Sequence, residues 1–449
     1  MLADNKLTEA CQRIIDRILF LRICEDRDID TGTTLQSIVE TWRKNTGNES
    51  NSRRRRKESQ TSFALRDEPP KDQSLVTSAP TESLWRRIAD HFRALDRRPP
   101  THVPFFNGNL FKPHFTETLV VSDEWLAGFI GELSDDESPY LFEVIPVEIL
   151  GSVYERFLGK VVRPHGKGIT IEEKPEVRKA GGVYYTPRYI VDYIVEQTCG
   201  KLLDEISVGD DVRSLKLKTE SQSLVTSTPT IKDFEKKTAA LRFLDPACGS
   251  GSFLIRAFER VCEHWQKRLT ADFRSSVGDE VTSLKSSLAG DDVRSLQSKP
   301  ESQSLLTSSP AGKEWIKKHR PLCWVDAATG DMHLTVALKR QILTQNIYGV
   351  DLDSAAVEVT QLSLYLKMLE HENRTTLQRQ RELLPDADDI ALLPPLQANI
   401  KCGNSLIASD FSIIPEDLVR VHAFNWPVQF EPWNAKFGYE WLRSPATRN

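Results

Sequence analysis

The sequence predicts an α/β protein in which helices cover both faces of a parallel sheet and a mainly helical region comes first. Three observations lead to this class. Short apolar runs with the composition of buried strands begin the segment 241–262 and occupy 346–352 and 398–402. Segments with helical spacing separate these runs, and such alternation is typical of a parallel sheet. The region before residue 160 instead repeats its apolar residues at the spacing of helices.

Length and composition limit the possible classes of protein. The chain has 449 residues, which is enough for two or three domains with separate cores. Because the formal net charge is only −5, binding to nucleic acid would depend on local basic patches rather than on the overall field. No apolar run is long enough to cross a bilayer, and the first residues lack the features of a signal peptide. We therefore expect a cytoplasmic protein without a membrane partner.

The seven cysteines are scattered along the chain and form no Cys-x-x-Cys pair and no cluster with histidine at zinc spacing. This pattern predicts a reduced protein without a metal site. Cys248 lies inside the most distinctive motif of the chain, yet no histidine nearby in the sequence would activate its thiol. We interpret it as a small packed side chain.

The first 160 residues predict helices separated by a polar segment. Apolar residues recur at helical spacing over 7–28, and helical patterning returns over 84–159. Between them, 44–82 is low in complexity and includes five consecutive basic residues, 53–57. Such a run could bind phosphates or could be a solvated loop, and the sequence leaves both interpretations open.

An internal repeat interrupts the second half of the chain. The segment 209–215, Gly-Asp-Asp-Val-Arg-Ser-Leu, recurs at 290–296, and both copies continue into Glu-Ser-Gln-Ser-Leu and end at a proline. The copies are polar and are separated by unrelated sequence, unlike the repeats of a solenoid. We predict that they are inserts at about 207–230 and 275–311 without a catalytic role, because loop closure entropy grows slowly with loop length.

The most informative segment is 243–254, Phe-Leu-Asp-Pro-Ala-Cys-Gly-Ser-Gly-Ser-Phe-Leu. It predicts a buried strand, a glycine-rich loop and then the first turn of a helix. Gly249 and Gly251 give the backbone torsions that other residues avoid, and they let a ligand approach main-chain atoms. A loop of this kind at the start of a helix is a candidate ligand site.

The second predicted strand, 346–352, ends in carboxylates. In open α/β sheets ligands bind beyond the carboxyl ends of the strands, and an acidic residue there can accept hydrogen bonds from both hydroxyls of a ribose. We assign this role to Asp351, whereas Asp353 is predicted to cap the next helix. A dinucleotide is the alternative ligand. Against it, Leu254 stands where the third glycine of the dinucleotide fingerprint would fall.

The complete string 243–254 resembles the S-adenosylmethionine motif of N6-adenine DNA methyltransferases, and 181–187 resembles the motif that precedes it in the gamma-type amino-methyltransferases. The resemblance implies a Rossmann-like S-adenosylmethionine-dependent methyltransferase core. It also implies the roles of individual residues. Thr186 and Pro187 would line the methionine end of the cofactor pocket, and beside it would lie the loop that contains Asp245, Pro246, Ala247, Gly249 and Gly251. Asp351 would hold the ribose. Leu352 would face the adenine, and Asn404 would form a hydrogen bond with it. Asn404 could equally be a turn residue after Gly403.

The segments 13–22 and 145–159 are similar to the helical connector of type IIG restriction–modification enzymes and related phage-defence methyltransferases. This implies a helical connector domain at 1–160 and the methyltransferase core at 161–449. The implied function is methylation of adenine N6 at a specific sequence in double-stranded DNA, as part of restriction–modification or phage defence.

The sequence departs from that family in two respects. We find no nuclease domain before the connector. The triplet 172–174, Glu-Glu-Lys, could be mistaken for part of a nuclease, but it lies in a predicted charged linker. The catalytic motif Asn/Asp-Pro-Pro-Tyr/Phe is also missing, since the Pro-Pro pairs at 69–70, 99–100 and 394–395 lack the amide or carboxylate and the aromatic residue. In the family that motif holds the target amino group and stacks on the flipped base.

We therefore assign no catalytic residue and expect a core that is incomplete at its C-terminus. The first alternative is an S-adenosylmethionine-binding fragment or subunit that needs a second chain for the catalytic motif and for target recognition. A methyltransferase acting on RNA or protein is a further alternative.

Overall fold

The computed structural model describes two compact units, Ala10–Ile145 and Pro146–Asn449 together with Met1–Glu9. The predicted domain boundary at 160 therefore falls after a helix that the structure groups with the second unit. Among the residues described, no helix is long and apolar enough to cross a membrane. The described residues are 4–46, 83–97, 106, 109–134, 142–165, 168–174, 186–208, 230–287, 309–326, 331–383, 392–408 and 410–430.

Helices dominate the first unit, as the apolar spacing predicts. They are α1 (Asp4–Asp26, which begins in the other unit), α2 (35–46), α3 (Leu84–Asp96) and α4 (Asp123–Ser134). The core is aromatic, with Phe20 within 6.0 Å of Phe106 and 5.6 Å of Phe111, ring centroid to ring centroid. The buried guanidinium of Arg17 donates to the carbonyl of Leu110 at 2.7 Å and to Glu117 at 2.9 Å. Burial lowers the pKa of Arg17 to about 10, and Glu117 opposes that shift.

The second unit contains the predicted parallel sheet. Its strands lie in the order β3 (Phe243–Asp245), β6 (Ile347–Asp351) and β7 (Ile400–Cys402), and both pairings are parallel. Since β6 is the central strand and is buried at Ile347 and Val350, the apolar runs of the sequence form the middle layer of this unit.

Helices connect and cover these strands. Helix α9 (Ser252–Ser287) packs against β3 and β6, and α12 (Ser354–Met368) packs against β6 and β7, so that the helices that follow the carboxyl ends of β3 and β6 both lie on the sheet. A π-helical turn, Glu196–Gly200, joins α6 to α7. The helices of this unit are α5 (Val147–Leu158), α6 (Arg188–Val195), α7 (Lys201–Val208), α8 (Ile231–Ala240), α9 (Ser252–Ser287), α10 (Pro310–His319), α11 (Val336–Asn346), α12 (Ser354–Met368), α13 (Arg374–Leu383), α14 (Pro415–Arg420) and α15 (Trp426–Gln429).

Two antiparallel hairpins accompany the sheet, and the sequence reasoning missed both. One pairs β1 (Lys160–His165) with β2 (Gly168–Glu173), and the other pairs β4 (Cys323–Val325) with β5 (Met332–Leu334). The first hairpin corrects the predicted charged linker at 172–174, because the first two of these residues lie in β2. The third, Lys174, forms an ion pair with Asp353, which caps α12 as predicted by accepting from the N–H of Ala355 at 2.9 Å.

The predicted insert at 275–311 begins too early, because α9 continues to Ser287. The reason is a buried stripe at i, i+4 and i+8, formed by Leu269, Phe273 and Val277, which the polar composition of the segment hides. Similarly, 207–208 end α7 and residue 230 caps α8. The rest of both inserts, 209–229 and 288–308, lies outside the described residues, as do the basic run 53–57, the motif residues 181–185 and the tail 431–449.

Candidate functional site

The site lies at the carboxyl ends of β3, β6 and β7, where the chain leaves the sheet at neighbouring positions. Asp245 ends β3, and its carboxylate accepts the N–H of Ala247 at 3.0 Å, which closes the turn through the exposed Pro246. Burial raises the pKa of Asp245, the bond from Ala247 opposes this, and the nearby charge of Asp351 adds to the increase. Two predicted cofactor residues from different strands, Asp245 and Asp351, are thus brought together.

The glycine loop is held from both sides at Gly249. Its N–H donates to Oδ2 of Asp351 at 2.9 Å, and its carbonyl accepts from the hydroxyl of Thr360 at 2.7 Å. Gly249 has φ of 53°, in the left-handed region. The loop is therefore fixed between the end of β6 and the first half of α12 rather than being free to adapt.

Gly251 allows α12 to approach the loop closely. It has φ of +89°, and a Cβ atom placed on it would lie 2.9 Å from Cγ2 of Thr360. Gly349 on β6 likewise allows Leu254 and Cys248 to approach the strand closely, since a Cβ there would lie 2.7 Å from Leu254 and 3.1 Å from the sulfur of Cys248. Glycine at these positions therefore allows the loop and the following helix to pack closely against the sheet and against α12.

Cys248 is buried and lies under this loop. Burial, together with the charges of Asp351 and Asp245, raises the pKa of its thiol. Its N–H donates to the carbonyl of Val350 at 3.0 Å, and its side chain faces Gly349. These features confirm the interpretation of Cys248 as a packed side chain.

Asp351 accepts hydrogen bonds from the protein backbone at both of its carboxylate oxygens. Oδ2 accepts from Gly249, as described, and Oδ1 accepts the N–H of Asp353 at 2.9 Å. A carboxylate offers about four lone-pair positions, so each oxygen retains capacity for one more donor. The arrangement suits a ligand with two adjacent hydroxyls. Leu352 follows at once and is 55% exposed, so that an apolar surface lies beside the acceptor pair.

The neighbouring strand β7 ends at the same edge. Cys402 is in register with Asp351, and the N–H of Gly403 donates to the carbonyl of Asp351 at 2.8 Å. All seven cysteines are described, and Cys402 is the one that is exposed. Burial and then the charges of Asp353 and Asp351 raise the pKa of its thiol. Cys402 thus marks the site and can report on its occupancy.

Asn404 forms a turn at this edge. Its Oδ1 accepts the N–H of Leu406 at 3.1 Å, and its own N–H donates to the carbonyl of His422 at 2.7 Å. A Cβ on the preceding Gly403 would lie 2.5 Å from Phe424, so the segment that carries Phe424 packs tightly against the end of β7. The turn interpretation of Asn404 is confirmed, and its contact with an adenine stays a prediction.

Thr186 and Pro187 lie immediately before α6. This helix packs against α9, and an ion pair joins Asp192 on α6 to Arg256 near the start of α9, Oδ1 to Nε 2.7 Å. Both helices begin just after predicted cofactor residues, and the ion pair joins them within their first two turns. The predicted roles of Thr186 and Pro187 are not tested by this geometry.

Thr360 and Gly349 are site residues that sequence reasoning missed. Thr360 lies in the middle of a buried helix, and Gly349 in the middle of a strand, where a single sequence gives little reason to expect a role in a loop. An isolated glycine inside a strand pattern does signal close backbone approach, and this signal could have identified Gly349. No comparable signal was present for Thr360.

Comparison with known proteins identifies a matching domain family and two relatives. Residues 219–423 match the family described as MmeI, DNA-methyltransferase domain. The chain is 25% identical over 425 residues to the type II restriction enzyme and methyltransferase RM.Eco57I of Escherichia coli, covering 94% of this chain and 30% of that protein. It is 24% identical over 326 residues to the putative type II restriction enzyme and methyltransferase RM.MjaORFECS2P of Methanocaldococcus jannaschii, covering 68% of this chain and 21% of that protein.

The chain thus spans less than a third of the length of either relative. The family match includes β3, the glycine loop, α9, β6, α12 and β7, that is, every strand of the parallel sheet. Residues 219–423 thus match a DNA-methyltransferase domain family, and the chain is similar to type II restriction enzymes that are also methyltransferases.

Proposed function

We propose that the chain binds S-adenosylmethionine at the carboxyl ends of β3, β6 and β7 and serves the transfer of its methyl group to adenine N6 in double-stranded DNA, within restriction–modification or phage defence. The observation that carries the proposal is the glycine loop fixed between Asp351 and Thr360. Bound S-adenosylmethionine would supply an electrophilic methyl group. The protein residues described would hold and orient it.

The residues at the site fit this cofactor by their chemistry. Asp351 keeps acceptor capacity for the two ribose hydroxyls, and it lies next to the exposed Leu352, a surface suited to an adenine ring. The loop from Asp245 to Gly251 presents main-chain atoms without large side chains, as the amino-acid tail of the cofactor requires. Asn404 and the pair Thr186–Pro187 would complete the pocket at the adenine and methionine ends.

The chemistry on adenine needs groups that accept hydrogen bonds from the target amino group. The Pro-Pro pair that the structure describes is unsuited to this task, because the carbonyl of Pro394 already accepts from the buried hydroxyl of Tyr365 at 2.8 Å. Its neighbours Leu393 and Leu396 are buried in the core. The other two pairs, 69–70 and 99–100, lie outside the described residues.

The unsuitable surroundings of the Pro-Pro pair at 394–395 support a second candidate function. The sequence contains no Asn/Asp-Pro-Pro-Tyr/Phe motif. In this version the chain is an S-adenosylmethionine-binding part of a methyltransferase, and a second polypeptide supplies the catalytic motif and target recognition. The two versions share the cofactor site and differ only in whether this chain alone transfers a methyl group.

Cofactor binding is tested first, by calorimetry and by alkylation of Cys402. We expect saturating S-adenosylmethionine or S-adenosylhomocysteine to slow the reaction of this thiol with N-ethylmaleimide at mildly alkaline pH, because Cys402 lies beside Asp351. A Cys402→Ser variant serves as the control for labelling elsewhere. The absence of both heat and protection would refute the cofactor proposal.

Methyl transfer is tested with labelled S-adenosylmethionine and unmethylated DNA of mixed sequence. Label in adenine N6 would support the complete enzyme. Cofactor binding without transfer to DNA would favour the second candidate, which then predicts activity when a polypeptide carrying the missing motif is added. Transfer to RNA or protein but not to DNA would refute both versions.

A further inference from the structure

A buried lysine joins three helices around the cofactor site. Lys367 on α12 is 8% exposed at its side chain, and its ammonium group forms ion pairs with Glu148 on α5 at 3.3 Å, with Glu259 on α9, and with Glu370 just after α12 at 2.7 Å. Burial would lower the pKa of Lys367, but its bonds to Glu259 and Glu370 reverse this and raise it above the ordinary value. The cation therefore stays charged in the folded protein.

Two of the joined helices lead directly into the glycine loop and its support. Helix α9 starts at Ser252, the residue after Gly251, and Glu259 lies two turns into it. Helix α12 starts just after Asp351 and carries Thr360, which lies two turns before Lys367 and holds Gly249. The separation of α9 and α12 at Lys367 thus determines how closely Thr360 approaches the loop.

The ionic contacts extend from this cluster to α6. Glu259 accepts from Arg256 at 3.2 Å, and Arg256 in turn pairs with Asp192 at 2.7 Å. One helical turn along α9, Arg260 donates to both carboxylate oxygens of Glu196, at 2.8 and 3.0 Å. The helix that begins after Thr186 and Pro187 is therefore tied to the same face of α9.

The third helix, α5, passes close to the loop. A Cβ on Gly151 would lie 3.7 Å from Oγ of Ser250, which is 1% exposed. Helix α5 also packs along α12. A short helix from the beginning of this unit thus lies over the loop at Ser250 and is held to α12 by Glu148.

We propose that Lys367 and Glu148 are positioning residues for the glycine loop: the ion pairs of Lys367 with Glu148 and Glu259 set the distances of α5 and α9 from α12 and so hold the loop in its ligand-binding form. This inference rests on the proposed function, since it concerns the same cofactor site. It assigns to α5 a role in cofactor binding, although none of its residues is among those predicted to touch the cofactor.

The charges explain why Lys367 is the sensitive position. Its ammonium faces three carboxylates from three segments, and removal of the cation would leave these carboxylates close together in a partly desolvated site, which is strongly unfavourable. The helices that carry them would then move apart or take up water. Removing Glu148 instead leaves the cation with two partners and frees only α5, so its effect should be smaller.

The test compares Lys367→Met, Lys367→Arg and Glu148→Gln with a matched control, Lys339→Met. Lys339 forms an ion pair of similar burial with Glu372 at 2.7 Å, but this pair joins α11 to the turn after α12 and involves neither α5 nor α9. Two quantities are measured on the full chain. They are the affinity for S-adenosylmethionine by calorimetry and the amide hydrogen exchange of the peptide 246–254 without ligand.

We expect Lys367→Met to weaken binding by about tenfold or more, a change of about 1.4 kcal/mol or more, and to speed exchange in the loop peptide. Lys367→Arg should restore much of both quantities, and Glu148→Gln should fall between them. Lys339→Met should lose stability while its loop exchange and affinity stay as in the wild type. Equal effects of Lys339→Met and Lys367→Met would show a general loss of stability and overturn the inference.

If Lys367→Met does not fold, Glu148→Gln decides, and wild-type loop exchange in that variant would overturn the inference. Failure of the wild-type chain to bind S-adenosylmethionine would refute the proposed function instead. The exchange measurement on the ligand-free protein would still test the positioning role, so the two failures are distinguishable.

Discussion

Replacement of Gly251 by alanine is the sharpest test of how the loop is built. The residue has φ of +89°, a backbone conformation that side chains other than glycine rarely adopt. A Cβ there would lie 2.9 Å from Cγ2, 3.2 Å from Oγ1 and 3.3 Å from Cβ of Thr360. Thr360 has little freedom to move away, because it is buried and its hydroxyl donates to the carbonyl of Gly249 at 2.7 Å.

Two contributions add to the expected cost. The left-handed backbone costs a residue with a Cβ about 1–2 kcal/mol. Overpacking of a well-packed site costs about 1–3 kcal/mol. We therefore expect Gly251→Ala to lower the free energy of unfolding of the methyltransferase unit by about 2–5 kcal/mol. Affinity for the cofactor should fall as well, since the loop shifts or Thr360 releases Gly249.

The assay is urea denaturation of the wild type, of both single variants and of the double variant Gly251→Ala/Thr360→Ser. Serine removes the Cγ2 that the new methyl group meets and keeps the hydroxyl for Gly249, so the double variant should recover the overpacking part and retain the backbone part. The coupling energy between the two positions should be about 1–3 kcal/mol, within the range for residues in contact. A Gly251→Ala protein within about 0.5 kcal/mol of the wild type, as for an ordinary surface substitution, would refute the reasoning.

Three further predictions address other parts of the site. Asp351→Ala should weaken S-adenosylmethionine binding by about 1.5–3 kcal/mol, measured by calorimetry, and unchanged affinity would contradict the ribose assignment. Gly403→Ala should cost about 1–3 kcal/mol of stability in urea denaturation because of Phe424, 2.5 Å away, and no recovery on adding Phe424→Leu would contradict the clash. Glu148→Gln should destabilise the protein near neutral pH. Although burial raises the pKa of Glu148, its backbone bond and the ammonium partner on α12 lower it overall. The charged form of Glu148 therefore stabilises the fold above the ordinary glutamate pKa. The difference in free energy of unfolding between the wild type and Glu148→Gln should disappear as pH falls through the lowered pKa. A difference that is the same in acid would contradict this origin.

The elements around the ligand site could be predicted because their signals are local. An apolar run followed by Asp-Pro and glycines predicts a strand that ends in a loop, and Asp353 before three small residues predicts a cap, which the structure confirms. The same local reasoning failed at 275–287, where the low complexity of the segment was given more weight than the helical spacing of the apolar residues Phe273 and Val277, both of which are buried. Composition describes what a segment contains, whereas spacing describes which face it buries.

Contacts between distant segments could not be predicted in this way. Thr360 lies 111 positions from Gly249, and Lys367 lies 219 positions from Glu148. Nothing in the spacing of a helix indicates which of its polar residues will meet a loop on another element. Asp351 shows the same limit, since the sequence suggests a ligand role but not the two backbone N–H groups that its carboxylate accepts.

The sequence by itself determined the fold class of the second unit, the positions of its central strands along the chain and the identity of the residues at their carboxyl ends, because periodicity and turn chemistry act over a few neighbouring residues. Only the tertiary structure decided that Gly349 and Gly251 are needed for close packing, that Thr360 and Asp351 hold the loop, and that Lys367 joins three helices behind it. These properties depend on steric fit and on charges brought together through space, and neither is encoded in the pattern of any one segment.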